Sequence, residues 1–102
     1  MIKVMSFNIR MGLANDGNNH WRHRKSLVLA RITAFAPDLL GLQECCDDEA
    51  QAGFLKQHLS RYEFYGVQRG GNKGAAMEMA PALFKKSSFK VLEQGCFWLS
   101  KT

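Results

Sequence analysis

The sequence predicts an α/β (α+β) fold, a mixed sheet flanked by two helices, and three observations carry that expectation. Leu39-Leu40-Gly41-Leu42 is almost wholly apolar, as strands buried on both faces are, and it delivers Gln43 and Glu44 at its C-terminal end. Two windows, Arg22 to Ala36 and Ala50 to Leu59, carry apolar residues at helical spacing. The order strand, loop, helix, strand over residues 2–44 brings the first two strands into one sheet. Asn8 and Glu44, at the ends of those strands, are then expected as neighbours in space. Open sheets tend to place ligand and catalytic groups at such ends, although a strand that simply reaches the surface and turns is written with the same residues.

Taken in order, Ile2 to Ile9 has β-branched and large apolar residues on both faces, which suits a buried first strand ending near Ser6-Phe7-Asn8. Gly12 to Asn19 is rich in Gly, Asn and Asp and reads as a loop; Asp16-Gly17-Asn18 is ordinary turn chemistry. From about Arg22 the positions Val28, Leu29, Ile32, Phe35 and Ala36 share one side of a helix that Pro37 ends. Asp47-Asp48-Glu49 then precedes Ala50 to Leu59, where Ala52, Leu55 and Leu59 share a face. Acidic residues in a first turn complement the helix dipole, so this run reads as a helix start ahead of a cluster of metal carboxylates.

Tyr62 to Val67 is strand-like. Arg69 to Gly74 reads as a mobile hairpin loop with two cations; it lacks the G-x-x-x-x-G-K-[ST] spacing of a phosphate-binding loop. Met77 to Phe84 reads as a further apolar strand carrying Glu78, with Pro81 pointing to an edge or a bulge. An unpaired buried Glu78 is costly, so its carboxylate must reach solvent, a cation or a donor. Phe89 to Leu92 alternates as a strand, and Cys96 to Ser100 begins another apolar segment.

Composition bounds the function classes. With 102 residues, 46% hydrophobic and 23% charged, the chain is ordinary globular material with a modest core. Fourteen Lys and Arg against nine Asp and Glu give a formal charge of +5, a bias towards anionic partners, but the basic residues are scattered rather than striped. Three cysteines make neither a disulfide framework nor a C-x-x-C metal motif and suit a reducing compartment. No secretory signal is visible, and no apolar run reaches the ~18 residues of a membrane span, so a cytoplasmic setting is expected.

Four segments in order carry a resemblance. Ser6-Phe7-Asn8-Ile9-Arg10, Trp21 with Arg24, Leu42-Gln43-Glu44, and the run from Glu78 through Pro81-Ala82-Leu83-Phe84 to Gly95-Cys96-Phe97-Trp98-Leu99-Ser100 resemble the endonuclease/exonuclease/phosphatase superfamily. The resemblance implies the N-terminal half of a four-layer α/β/β/α sandwich and a Mg²⁺-dependent phosphoesterase, with Mn²⁺ as a substitute ion. By that likeness Glu44 is the metal-binding glutamate, and Asn8 lies beside metal and scissile phosphate as a catalytic amide and metal neighbour. Glu78 is the catalytic-site acid that orients a histidine. Arg10 and Arg69 are assigned to substrate phosphate on charge alone.

The family's second half brings a catalytic histidine, an Asp-x-Asn strand end and a closing Ser-Asp-His. None of these is present in residues 1–102, where His20, His23 and His58 lack the family's context. The chain is therefore expected to be a partial domain, truncated at its C-terminus and inactive alone, able to self-associate through an uncovered sheet face. The implied partner is a phosphate ester, either nucleic acid or a small phosphorylated molecule. A non-catalytic basic nucleic-acid-binding module and a truncated interaction fragment are the competing readings.

Overall fold

The computed structural model describes residues 1–70, 74–97 and 99. Strand β1 (Val4–Asn8) leads through a loop and a 3-10 turn at Gly17–Asn19 into helix α1 (Trp21–Phe35), which returns the chain to β2 (Leu39–Gln43). The two strands pair in parallel, Val4 opposite Leu39 and Asn8 opposite Gln43. A parallel pair needs a long crossover, and α1 supplies it. There follow β3 (Cys45–Cys46), a wide helical turn at Glu49–Gly53 that runs into α2 (Phe54–His58), then β4 (Tyr62–Tyr65), β5 (Glu78–Met79) and β6 (Ala82–Lys85). The main sheet has the order β1-β2-β6-β4, with β6 antiparallel to both its neighbours, and β3 pairs with β5 in a separate antiparallel ribbon. This is the mixed sheet with two helices that the sequence predicts.

The helix ends follow local chemistry. The His20 ring accepts the Arg22 N–H at the start of α1. Ala36 takes a left-handed conformation (φ 50°) that returns its N–H to the Ile32 carbonyl, and Pro37 follows. Asp48 caps the next helical segment by accepting the Gln51 N–H, so the acidic run is a helix start, and no group of three or more metal-ligating side chains forms among the described residues.

One core holds these pieces together. Leu40, Leu42 and Leu83 from the sheet meet Val28 and Ile32 of α1 and Ala52, Leu55 and Leu59 of the second helical segment in a single buried cluster, so both helices cover the same sheet face. The opposite face is open: Val4 is 65% exposed, and Leu39 and Phe84 are half-buried. The expectation that β1 and the Leu39 run are buried on both faces is thereby corrected, because only one face has helices packed on it. The irregular segment 89–94 lies on the open side and lines a cleft with Leu39, Tyr65, Ala82 and Phe84.

Three further expectations change. Met77 to Phe84 is not one strand: Pro81, which has no N–H for a ladder, stands where the chain leaves β5 and enters β6 in the other sheet. Its carbonyl still accepts the Leu42 N–H. Phe89 to Leu92 forms no strand; Ser88 and Phe89 donate back to the Lys85 carbonyl in a turn, and the alternating residues that follow pair with no strand among the described residues. In the segment 96–100, Phe97 and Leu99 are highly exposed, while Trp98 and Ser100 lie outside the described residues, as do Gly71 to Lys73 of the expected loop.

Candidate functional site

Because β1 and β2 run in parallel, their C-terminal ends emerge side by side. Asn8 is the last residue of β1, and Glu44 directly follows β2. The Asn8 amide Nδ2 donates to Glu44 Oε2 at 2.7 Å, across 36 positions of sequence. The Asn8 Oδ1 faces the other way and accepts the Arg10 backbone N–H at 3.0 Å. Asn8 thus links the carboxylate of one strand to the turn that leaves the other.

That turn is unusual in its backbone. Arg10 (φ 62°) and Glu44 (φ 57°) both adopt the left-handed conformation, uncommon for residues with a Cβ and concentrated at functional sites. Arg10 is held at three points. Its N–H goes to Asn8, its carbonyl accepts from Gln51 Nε2 at 3.0 Å, and its guanidinium lies on Asp16, with Nε and Nη2 each 3.0 Å from a carboxylate oxygen. The remaining terminal nitrogen, Nη1, stands 3.8 Å from Glu44 Oε1. The Asp16 hydrogen bond raises the Arg10 pKa, and the same contact pulls the Asp16 carboxyl below its ordinary value.

Gln51 is the strut beneath. It is fully buried, and its Oε1 accepts the Gly12 N–H at 2.8 Å and the Cys46 N–H at 2.7 Å while Nε2 serves Arg10. One side chain thus fixes the strand exits on both sides of the site. Gly12 leaves little room there: a Cβ would stand 3.0 Å from the Gln51 oxygen, which would have to give by a few tenths of an ångström. Arg24 of α1 adds a second tie, donating to the Ile9 carbonyl and, at 2.6 Å, to the Asn19 carbonyl. The helix start is anchored by Trp21, whose indole N–H donates to the Ala50 carbonyl.

The other predicted residues sit apart from this cluster or in different company. Glu78 on β5 forms an ion pair with Arg69 at 3.3 Å, so of solvent, a cation or a donor its carboxylate meets a cation. The histidines are hydrogen-bonded elsewhere: His20 caps α1, His23 Nε2 accepts from the Arg22 guanidinium, and His58 contacts the Phe54 carbonyl in its own helix. Cys45 and Cys46, next to Glu44 in sequence, are buried, and burial pushes both thiols up to about 12. They are packing residues rather than nucleophiles.

Sequence reasoning singles out Asn8, Glu44 and Arg10, which the structure brings together, and passes over Asp16 and Gln51, which hold them there. Asp16 sits in a turn motif that needs no partner to explain it. Gln51 did carry a signal, since it falls on the apolar side of its helical segment beside Ala52 and Leu55.

Fold and site together define an α/β protein that gathers an amide, a carboxylate and a fixed guanidinium at the carboxyl ends of two adjacent parallel strands. The chain belongs to the endonuclease/exonuclease/phosphatase family, whose sequence profile matches residues 5–92. Among solved structures it is similar to an endonuclease/exonuclease/phosphatase from Bacteroides vulgatus, with 32% identity and a TM-score of 0.83 over 98% of this chain and 37% of that one. A mannosyl-6-phosphatase from Bacteroides thetaiotaomicron has 29% identity and a TM-score of 0.83, covering 100% of this chain and 38% of its own. The 2′,3′-cyclic phosphatase ANGEL2 has 28% identity and a TM-score of 0.76, covering 90% and 29% respectively. The chain therefore spans well under half the length of these relatives. No curated protein matches the sequence.

Proposed function

We propose that the chain carries the metal-binding part of a phosphoester hydrolase acting on nucleic acid or a small phosphorylated molecule. The observation that supports this most is the Asn8–Glu44 contact at the ends of β1 and β2. The Glu44 carboxylate at that contact fits Mg²⁺, or Mn²⁺ in its place, because Mg²⁺ is usually held by one or two carboxylates and keeps several waters.

Glu44, with its side chain 34% exposed, has room to bind an ion while Asn8 keeps the carboxylate oriented. The ion, when bound, neutralises charge developing on phosphate oxygens. Asn8 orients an oxygen without repelling it, and Arg10 offers positive charge to the same place. Arg69, on its pair with Glu78, is a second phosphate contact in this reading, and Glu78 is the acid that orients a base. The three histidines, each engaged elsewhere, supply no such base to Glu44. Loss of a general base costs about 10² to 10⁴ in rate, so residues 1–102 by themselves are expected to be inactive. A cytoplasmic setting, which a chain of three cysteines without a disulfide framework suits, is part of the same reading.

Two measurements test this. Paramagnetic Mn²⁺ is expected to broaden the amide signals of Asn8 and Glu44 in the wild-type chain and to leave them sharp in Glu44→Ala; equal broadening in both overturns the metal assignment. Hydrolysis of a simple phosphate ester by the 102-residue chain is expected to match that of Glu44→Ala. A clear Mg²⁺-dependent difference between them overturns the expectation of inactivity.

A further inference from the structure

An arginine guanidinium carries five N–H donors and can bind an anion through either of two forks, one along its side (Nε with Nη2) and one at its end (Nη1 with Nη2). In Arg10 the side fork is occupied, because both its nitrogens lie 3.0 Å from Asp16 oxygens. The end fork shares Nη2 with that contact but has its second N–H and both of Nη1 to offer; Nη1 has no hydrogen-bond partner among the described residues and stands beside Glu44 at 3.8 Å, beyond hydrogen-bond reach. The guanidinium is thus oriented by one carboxylate and aimed at the edge of another. It is also 56% exposed, which leaves its end open to a ligand, whereas Asp16 is only 20% exposed.

The backbone is built to match. Arg10 sits at φ 62°, with its N–H on Asn8 and its carbonyl on buried Gln51. A non-glycine residue held in this conformation from both sides indicates that the direction of its side chain is specified. A surface ion pair would not by itself justify that, since exposed pairs contribute little to stability.

We infer that Asp16 is a positioning residue that presents the end fork of Arg10 to a substrate phosphoryl group beside Glu44 and Asn8. Bidentate binding of phosphate is the natural use of that fork. Asp16 has a second effect. A guanidinium released from Asp16 would close the 3.8 Å gap and pair with Glu44, removing the anion site and occupying the carboxylate together. The inference takes its ligand class from the phosphoester reading, but its test requires neither turnover nor a metal.

The test is a titration of the metal-free chain with inorganic phosphate, read by nuclear magnetic resonance at the backbone amide signals of Asn8, position 10 and Glu44, in wild type, Asp16→Asn and Arg10→Lys. Wild type is expected to show a saturable shift. Asp16→Asn is expected to weaken binding about tenfold, the scale of losing one well-placed charge-assisted contact. The sign decides the matter. If Asp16 were only a nearby negative charge, its removal would make the site more positive and tighten phosphate binding. Equal or tighter binding in Asp16→Asn overturns the inference, as does a wild-type chain with no shift at Arg10.

Arg10→Lys keeps the charge but loses the fork and is expected to weaken binding as well; full retention of affinity overturns the bidentate role. Thermal melts of both variants within a few degrees of wild type keep an unfolded variant from passing as support. The Mn²⁺ broadening at Asn8 and Glu44 is read separately, so a failure of the metal assignment is distinguishable from a failure of the fork.

Discussion

At the scale of single residues, Gln51 is where a small change has the largest structural effect. Replacing it with Leu leaves the Gly12 and Cys46 N–H groups buried without acceptors and the Arg10 carbonyl without its donor. A stranded buried polar group costs about 1–3 kcal/mol, so Gln51→Leu is expected to lower stability by about 2–5 kcal/mol in chemical denaturation. A variant that melts with wild type would show that water takes over these contacts. The sequence makes Asn8 and Glu44 readable because polar residues end apolar strands there. Gln51 and Asp16 are hard to read because their partners are backbone groups or a residue in a turn, and no pattern records those contacts.

Among the elements, Asp38 ties three strands where the main sheet begins. Its carboxylate accepts the Lys3 N–H at 2.7 Å and pairs with Lys85 at 3.4 Å, and the Lys85 N–H donates to its carbonyl. The Lys3 backbone hydrogen bond, with Lys85 adding to it, holds the Asp38 carboxyl below its ordinary value of 3.8. A carboxylate with a depressed folded-state pKa adds stability above its unfolded pKa and loses it as pH falls through the folded value. Asp38→Asn is therefore expected to be less stable than wild type at neutral pH, and the gap is expected to close below about pH 4. Urea midpoints across pH 2–7 check this, and a gap independent of pH would contradict it.

The long elements α1 and β2 were legible because period and terminators agree, with Pro37 marking the boundary. Met77 to Phe84 and Phe89 to Leu92 were not. Whether an apolar run belongs to one sheet, two or none depends on which edges stand beside it, and those edges come from residues far away in sequence.

For the molecule as a whole, the uneven treatment of the two sheet faces is the main fact. Helices seal one side, while exposed Val4, half-buried Leu39 and Phe84, and Leu92 of the cleft-lining segment leave apolar surface on and around the other. The 102-residue chain on its own is expected to bind an apolar fluorescent dye and to self-associate as concentration rises, read by light scattering. A dye-silent monomer at all concentrations would show that segment 89–94 covers the face well enough. No helix among the described residues is long and apolar enough to cross a membrane.

The parallel register of β1 and β2 also sets when the site is assembled. Asn8 and Glu44 are 36 positions apart, and a parallel ladder cannot grow outward from a tight turn as a hairpin does. Bringing the amide to the carboxylate therefore carries the loop-closure cost of the whole crossover. The Asn8–Glu44 hydrogen bond is thus expected to form late in folding, and a substitution in α1 that loosens its packing is expected to speed amide exchange at the ends of β1 and β2.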